Sequence, residues 1–499
     1  MGVIQKQSIT GAIWSYIGVG LGFVITVFLF AHLLTTEEIG LLRVLVSYST
    51  IIAMFAGLGM NTVTVRLFPY FRDEKRKHHG YLGIVLMVSA VGFVVAILIY
   101  ALFRPMIIEN AQEKSALFIP YFWLVVPLTF FTVLFSALDS YFRVLFNAVK
   151  GIIFKEVVQR LFIIAVVLLF YFGWIEFAAM VWLYVLAYIS PALFLLISLI
   201  RNHRFFIRPD LKFITPALKK EMINVAVFGV LAGFSNVLVQ SIDVIMVNDF
   251  LGLSFTGIYT ISFFFGTLIL IPMRTMGKIG SVVIAEAWKK NDFKLLADIY
   301  RKSSLSLSII GILLFIGIWG NIENVFYLVG QEYRPGKYVI FFIALANLTD
   351  IFMGLSSHII VNSKYFRWQT YLIVIFAVIV VISNLLLIPP LGIVGAALAS
   401  FVSKFIFNAM KFVFIYRRFG FQPFIPKHLV LLLIGIVAWY LSTLLPAFSN
   451  FVADIVIRSI LITVVFMVPV YFFRISDDVN ERINATLTML FSGKKPPRS

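Results

Sequence analysis

The chain has 499 residues, no cysteine and a formal net charge of +18. Its residues are 61% hydrophobic and 13% charged, and the charged share is well below the roughly 25% of ordinary soluble domains. So little charge cannot cover a soluble protein of this size, and the missing cysteine excludes disulfides, thiolate metal sites and cysteine nucleophiles. A mean hydropathy of +1.00 points instead to a chain threaded repeatedly through a bilayer.

A crossing takes about 20 mostly apolar residues. Fourteen such stretches are predicted, at 12–34, 40–60, 81–103, 117–138, 157–173, 177–200, 222–249, 255–273, 303–320, 338–360, 370–388, 391–413, 428–446 and 453–473. The first follows a single lysine, Lys6, and runs past the length of a signal core, so it is expected to be retained. With an even number of spans both termini share a side. Of the 41 lysines and arginines, 34 then fall on that side, Arg160 and Lys411 at the inner span ends being counted with its loops, four opposite, and three (Arg43, Lys404 and Arg458) farther inside spans. Such a bias makes that side cytoplasmic, with N-in and C-in topology. The positive excess is thus an orientation signal, and nucleic acid is not an expected partner. Membrane lipids are, through basic, partly amphipathic inner segments at 211–222 and 285–299.

An offset of 217 residues lays Leu34 on Leu251 and Gly40 on Gly257, and an offset of 218 lays Ala178-Ala179 on Ala396-Ala397. A six-span unit enters twice from the same side, so the two copies form a parallel repeat about an axis along the membrane normal. The expected fold is all-α and polytopic. It has fourteen transmembrane helices in an N-lobe (1–210) and a C-lobe (211–420), a two-helix appendage (421–475) and a cytoplasmic tail (476–499).

Polar residues inside spans are costly and mark function. Arg43 lies one turn into the second span, where it could bind an anionic head group or pair with Glu37 or Glu38. Thr35 and Glu38 fit a capping box that starts this helix, and Asp139 with Arg143 fits a local ion pair. In the seventh span Asn236, Gln240 and Asp243 form a polar stripe at i, i+4 and i+7. At 1.5 Å per residue, Asp243, Asn384 and Ser400 lie about 7–13 Å from the outer ends of three helices. Their oxygens could hold Na⁺, or Asp243 could carry a proton, with interhelical hydrogen bonding as the alternative. Asn347 and Asp350 share mid-depth in the tenth span. Lys404 and Asn408, one turn apart in the twelfth, are candidates for a cationic substrate cavity, with snorkelling to the inner head groups as the other reading for the lysine. Arg458 is expected to pair with Asp454. A Gly-Lys-Ser/Thr phosphate loop is not found, no resident cofactor is expected beyond Na⁺ or H⁺ as coupling ion, and the chain is not expected to be an enzyme.

Ser383-Asn384, with Pro389-Pro390-Leu391-Gly392 and Gly395-Ala396-Ala397 behind it, resembles the signature over spans 11 and 12 of bacterial polysaccharide flippases. These belong to the multidrug/oligosaccharidyl-lipid/polysaccharide exporter superfamily. The turn Leu33-Leu34-Thr35-Thr36-Glu37-Glu38-Ile39-Gly40 is similar to that family's first turn, and the 6+6+2 layout agrees over nearly the whole chain. The resemblance implies translocation of undecaprenyl-pyrophosphate-linked oligosaccharide from the inner to the outer leaflet of the bacterial inner membrane, by alternating access, with polysaccharide assembly proteins as partners. By analogy with lipid II flippases, spans 13 and 14 would shelter the polyprenyl tail. The Asp243, Asn384 and Ser400 helices resemble those that carry a sodium site in some lipid II flippases. Leu387 and Ile388 stand where a second acidic ligand would be sought, a departure that weakens sodium. Two other functions are weighed: a cation-coupled multidrug antiporter of the same superfamily, disfavoured by Arg43, and a lipid-linked-sugar glycosyltransferase or polymerase, disfavoured by the short outer loops.

Overall fold

The computed structural model describes the backbone of residues 3–481 and 484, and side-chain packing from residue 10 onward within these, apart from 232, 234–236, 238–240, 275, 278 and 279. Every regular element among the described residues is helical. The helices used below are α1 (Thr10–Leu33), α2 (Thr36–Ala56), α3 (Val125–Val144), α4 (Gln159–Tyr171), α5 (Phe177–Arg201), α6 (Pro216–Leu251) and α7 (Leu253–Thr267). They continue with α8 (Ile271–Lys289), α9 (Phe293–Gly320), α10 (Lys337–Phe352), α11 (Phe366–Phe419), α12 (Pro426–Thr443) and α13 (Phe451–Phe472).

Among the described residues eleven helical stretches are long and apolar enough to cross a membrane. One of them, α11, holds two of the fourteen expected spans in 54 residues. It breaks at Gly392 (φ 60°, ψ −141°), just beyond Pro389 and Pro390, which cannot complete the helical hydrogen-bond ladder. Of the other two expected spans, 157–173 falls on α4 and 222–249 on α6. At 1.5 Å per residue the 36-residue α6 is roughly 54 Å long, more than the ~30 Å hydrocarbon layer requires. Its start is fixed by Pro216 and by the Thr215 hydroxyl, which accepts from Leu218 N–H at 3.3 Å.

The chain divides into two compact units, residues 1–261 with 373–396, and residues 262–372 with 397–499. In the first, Phe68, Phe71, Tyr81, Leu138, Tyr141 and Leu195 form a fully buried core. Its α2 opens with the expected capping box: Thr35 Oγ1 accepts from Glu38 N–H at 3.2 Å while the Glu38 carboxylate accepts from Thr35 N–H at 2.8 Å. In the second unit Ile312, Ile316, Leu348, Leu431, Ile462 and Phe466 knit α9, α10, α12 and α13 together.

The repeat shows itself where α2 meets α7 inside the first unit. Gly40 lies against the carbonyl of Leu253, and Gly257 against the carbonyl of Thr36. An offset of 217 converts Thr36 into 253 and Gly40 into 257, so each contact is the other with its partners exchanged. That reciprocity is the mark of a two-fold relation. Thr36 and Ser254 hydroxyls bond across the same crossing at 2.8 Å. A Cβ at either glycine would overlap backbone, which cannot swing aside as a side chain can. Gly40→Ala and Gly257→Ala are each expected to cost about 1–3 kcal/mol through overpacking, read as a lowered thermal unfolding midpoint in detergent. An unchanged midpoint for both would remove the crossing as a structural requirement.

Candidate functional site

Three polar constellations occupy the apolar spans. The first joins α10 to the second half of α11, inside the second unit. Lys404 Nζ donates to Asp350 Oδ2 at 2.8 Å and to Asn347 Oδ1 at 2.6 Å. Asn408 Nδ2 donates to Asp350 Oδ1 at 2.9 Å and to Thr349 Oγ1 at 3.0 Å. Lys411 is 2% exposed, 3.4 Å from Ser357 Oγ and 4.6 Å from the centre of the Phe407 ring. Lys404, Asn408 and Lys411 stand at i, i+4 and i+7, one face of one helix, and that face meets the Asn347–Asp350 turn of α10.

In this arrangement the Lys404 ammonium is paired with the Asp350 carboxylate, where snorkelling toward the inner head groups was one of the two readings weighed for it. Lys411, counted among the basic residues of an inner loop, sits within α11 and is buried. Asn408 Oδ1 is buried without a hydrogen-bond partner, the one acceptor of the cluster left open.

The second constellation lies in the first unit. Asp243 on α6 is 3% exposed and Asn384 on α11 is fully buried. Asn384 Nδ2 donates to Asp243 Oδ1 at 2.6 Å, and Tyr259 on α7 donates its hydroxyl to Oδ2 at 3.0 Å. The Asp243–Asn384 bond is the interhelical hydrogen bond weighed as the alternative to an ion site; Tyr259 was not anticipated, since a tyrosine sixteen residues away in an apolar run gives no sequence signal. Asn384 Oδ1 is buried with no partner, so the amide turns its donor to the carboxylate and leaves its acceptor unsatisfied. Asn236 and Gln240 lie outside the residues whose side chains are described. Ser400 belongs to the second unit, on the far side of the Gly392 break. Among the described residues no three His, Asp or Glu side chains converge as a metal-binding group. An oxygen site at Asp243 would rest on one carboxylate and the open amide oxygen.

The third is Arg43 on α2. Its Nε is buried with no hydrogen-bond partner, and neither Glu37 nor Glu38 is its ion-pair partner, Glu38 being used in the helix cap. Arg43 lies near Tyr184 on α5, whose ring is 5.0 Å from that of Tyr188. A guanidinium donor without an acceptor, beside two phenols, is a cationic surface in search of an anion.

Two further ion pairs that helix spacing suggested are present among the described residues. Arg143 and Asp139 pair at 2.9 Å. Arg458 Nη2 pairs with Asp454 Oδ1 at 3.0 Å, while Asn324 also bonds Asp454 and the Ser442 carbonyl accepts from Arg458.

A family model described as polysaccharide biosynthesis protein matches residues 6–284, more than half of the chain. Comparison with curated protein sequences finds no match. Among solved structures the fold is similar to the lipid II flippase MurJ in an inward closed conformation, at 16% identity over 93% of this chain and 99% of that one, with a TM-score of 0.72. It is also similar to a multidrug resistance MATE family transporter of the MOP superfamily in an inward-facing conformation, at 15% identity over 83% and 98% with a TM-score of 0.62. A MATE structure in a bent conformation follows at 16% identity over 84% and 96%, with a TM-score of 0.52. The chain therefore belongs to the polysaccharide biosynthesis protein family and is a multi-pass membrane protein with the fold of the MOP transporter superfamily.

Proposed function

We propose that the protein translocates a polyprenyl-pyrophosphate-linked oligosaccharide from the cytoplasmic to the outer leaflet of the bacterial inner membrane, by alternating access of lobes 1–210 and 211–420. Termini N-in and C-in follow from the basic side chains. Passing a pyrophosphate and sugars through hydrocarbon without compensation is prohibitive, so the transporter must supply a positive, hydrogen-bonding path. The single observation that carries this reading is the Nε of Arg43, a buried donor with no hydrogen-bond partner, in a chain whose family is polysaccharide biosynthesis. A drug antiporter for cations would want a carboxylate in that place. Asp243, with the open oxygen of Asn384, is the proposed coupling group: Na⁺ or a proton on Asp243 would satisfy that oxygen.

The test is reconstitution of the full chain in liposomes with a fluorescent polyprenyl-pyrophosphate oligosaccharide, scored by exposure of its sugar to an external lectin. Protein-dependent exposure is expected. Transport of cationic dyes without it would move the protein to the antiporter class, and sugar transfer in detergent would make it an enzyme. In the same assay Arg43→Ala should slow translocation about tenfold or more, the worth of one charge-assisted contact of 1.5–3 kcal/mol. Arg43→Lys should recover part of the rate, because it keeps the charge and loses the bidentate fork. A full rate for Arg43→Ala would remove Arg43 from the path.

A further inference from the structure

Apart from the Lys404 cluster, the second unit carries a cleft of about 590 Å³ where the C-terminal ends of α8 and α11 meet the 362–365 turn. Three cations line it, Lys289, Lys364 and Arg418, and no acidic side chain does. The acids close by in sequence are engaged elsewhere: Glu286 pairs with Lys290 at 2.7 Å, and Asp292 Oδ1 accepts from Leu295 N–H at 2.9 Å.

The cleft is built on a stiff aromatic frame. Trp288 donates its indole N–H to the Ile359 carbonyl at 3.1 Å and meets the Phe419 ring at 5.1 Å. Lys364 and Arg418 both stand over the Tyr365 ring, at 5.2 and 5.4 Å from its centre. The ring attracts each cation, and an anion bound near both would offset the repulsion between the two like charges. Asn291, in a left-handed turn (φ 54°), and Asn362 add amide groups to the lining.

Helix dipoles alone would favour Lys289 and Arg418, which stand at helix C-termini. The positive-inside bias accounts for all three lying on the inner side, but neither effect requires them to line one cleft with no acid among them. We propose that this cleft is a binding site for an anionic, phosphate-bearing ligand, with Lys289, Lys364 and Arg418 as its contacts. A pyrophosphate or phosphate head group on a lipid and a soluble phosphate share that chemistry. The site is distinct from Arg43 and Asp243, and it stands whether or not the protein is a flippase.

The experiment uses the purified full chain. Calorimetric titration with inorganic pyrophosphate measures the soluble arm. Native mass spectrometry after release from nanodiscs of phosphatidylglycerol or of phosphatidylcholine measures the lipid arm. Lys289→Ala, Lys364→Ala and Arg418→Ala together should weaken the bound anion about tenfold or more. Removing three exposed cations of the other unit, Lys75→Ala, Arg76→Ala and Arg201→Ala, should not. Arginine in place of both lysines should keep binding. Saturable pyrophosphate binding assigns a soluble or head-group phosphate; retention of phosphatidylglycerol alone assigns a lipid. Equal binding of both probes by the unsubstituted protein and the triple cleft variant, or binding of neither, overturns the site.

Discussion

Asp350→Ala is expected to destabilise the protein by about 3–5 kcal/mol, the cost of removing one partner from a buried ion pair, and to do so more strongly than Lys404→Ala. Among the described residues Asp350 is the carboxylate that faces both ammonium groups of its cluster, Lys404 at 2.8 Å and the buried Lys411 two turns farther along α11. Its removal leaves both uncompensated, together with the Asn408 amide that donated to it. Removing Lys404 instead leaves Asp350 with Asn408 and the field of Lys411. The asymmetry is the distinctive part. Unfolding midpoints in detergent should fall in the order Asp350→Ala below Lys404→Ala, with the double variant Asp350→Leu and Lys404→Met recovering part of the loss. If Lys404→Ala proves the more damaging, Lys404 serves a ligand or path and not the carboxylate.

Asp243→Asn should abolish the response of transport to an imposed ion gradient while leaving the fold intact. The amide keeps the volume and can still accept from Tyr259, but it can neither carry a proton nor offer a charge to Na⁺. In liposomes the unsubstituted protein should speed translocation when a Na⁺ or pH gradient of the correct sign is applied. The variant should run at one rate with the gradient present, absent or reversed. A variant that still follows the gradient places the coupling elsewhere, and the Asp243–Asn384–Tyr259 set becomes a helix-to-helix tie of the sort common in membranes.

How far these sites were legible can be seen in particular residues. Thr35 with Glu38, Asp139 with Arg143 and Asp454 with Arg458 are read from spacing alone, because i, i+3 and i, i+4 neighbours on a helix meet whatever the tertiary fold. Gly40 and Gly257 align by offset, although only the packed structure reveals that each rests on the other's helix. Asp350 and Lys404 were each noticed as isolated intramembrane charges 54 residues apart; nothing in sequence rotates α10 and α11 so that they face. Lys411 was misassigned for a related reason: a lysine near a span end has the same hydropathy whether it points to water or inward. The i, i+4, i+7 series Lys404, Asn408 and Lys411 was the available hint.

The amino-acid sequence by itself determined the membrane class, the all-α fold, the repeat and the family, because hydropathy, charge bias and helix periodicity are local quantities that add along the chain. Only the tertiary structure decided how intramembrane charges are partnered: Lys404 held by Asp350, Asp243 held by Asn384 and Tyr259, and the Nε of Arg43 buried without a hydrogen-bond partner. That decision depends on helix rotation and contact across more than a hundred residues in some cases. Net charge and periodicity do not encode it, and the high cost of burying a lone charge makes the structure settle it one residue at a time.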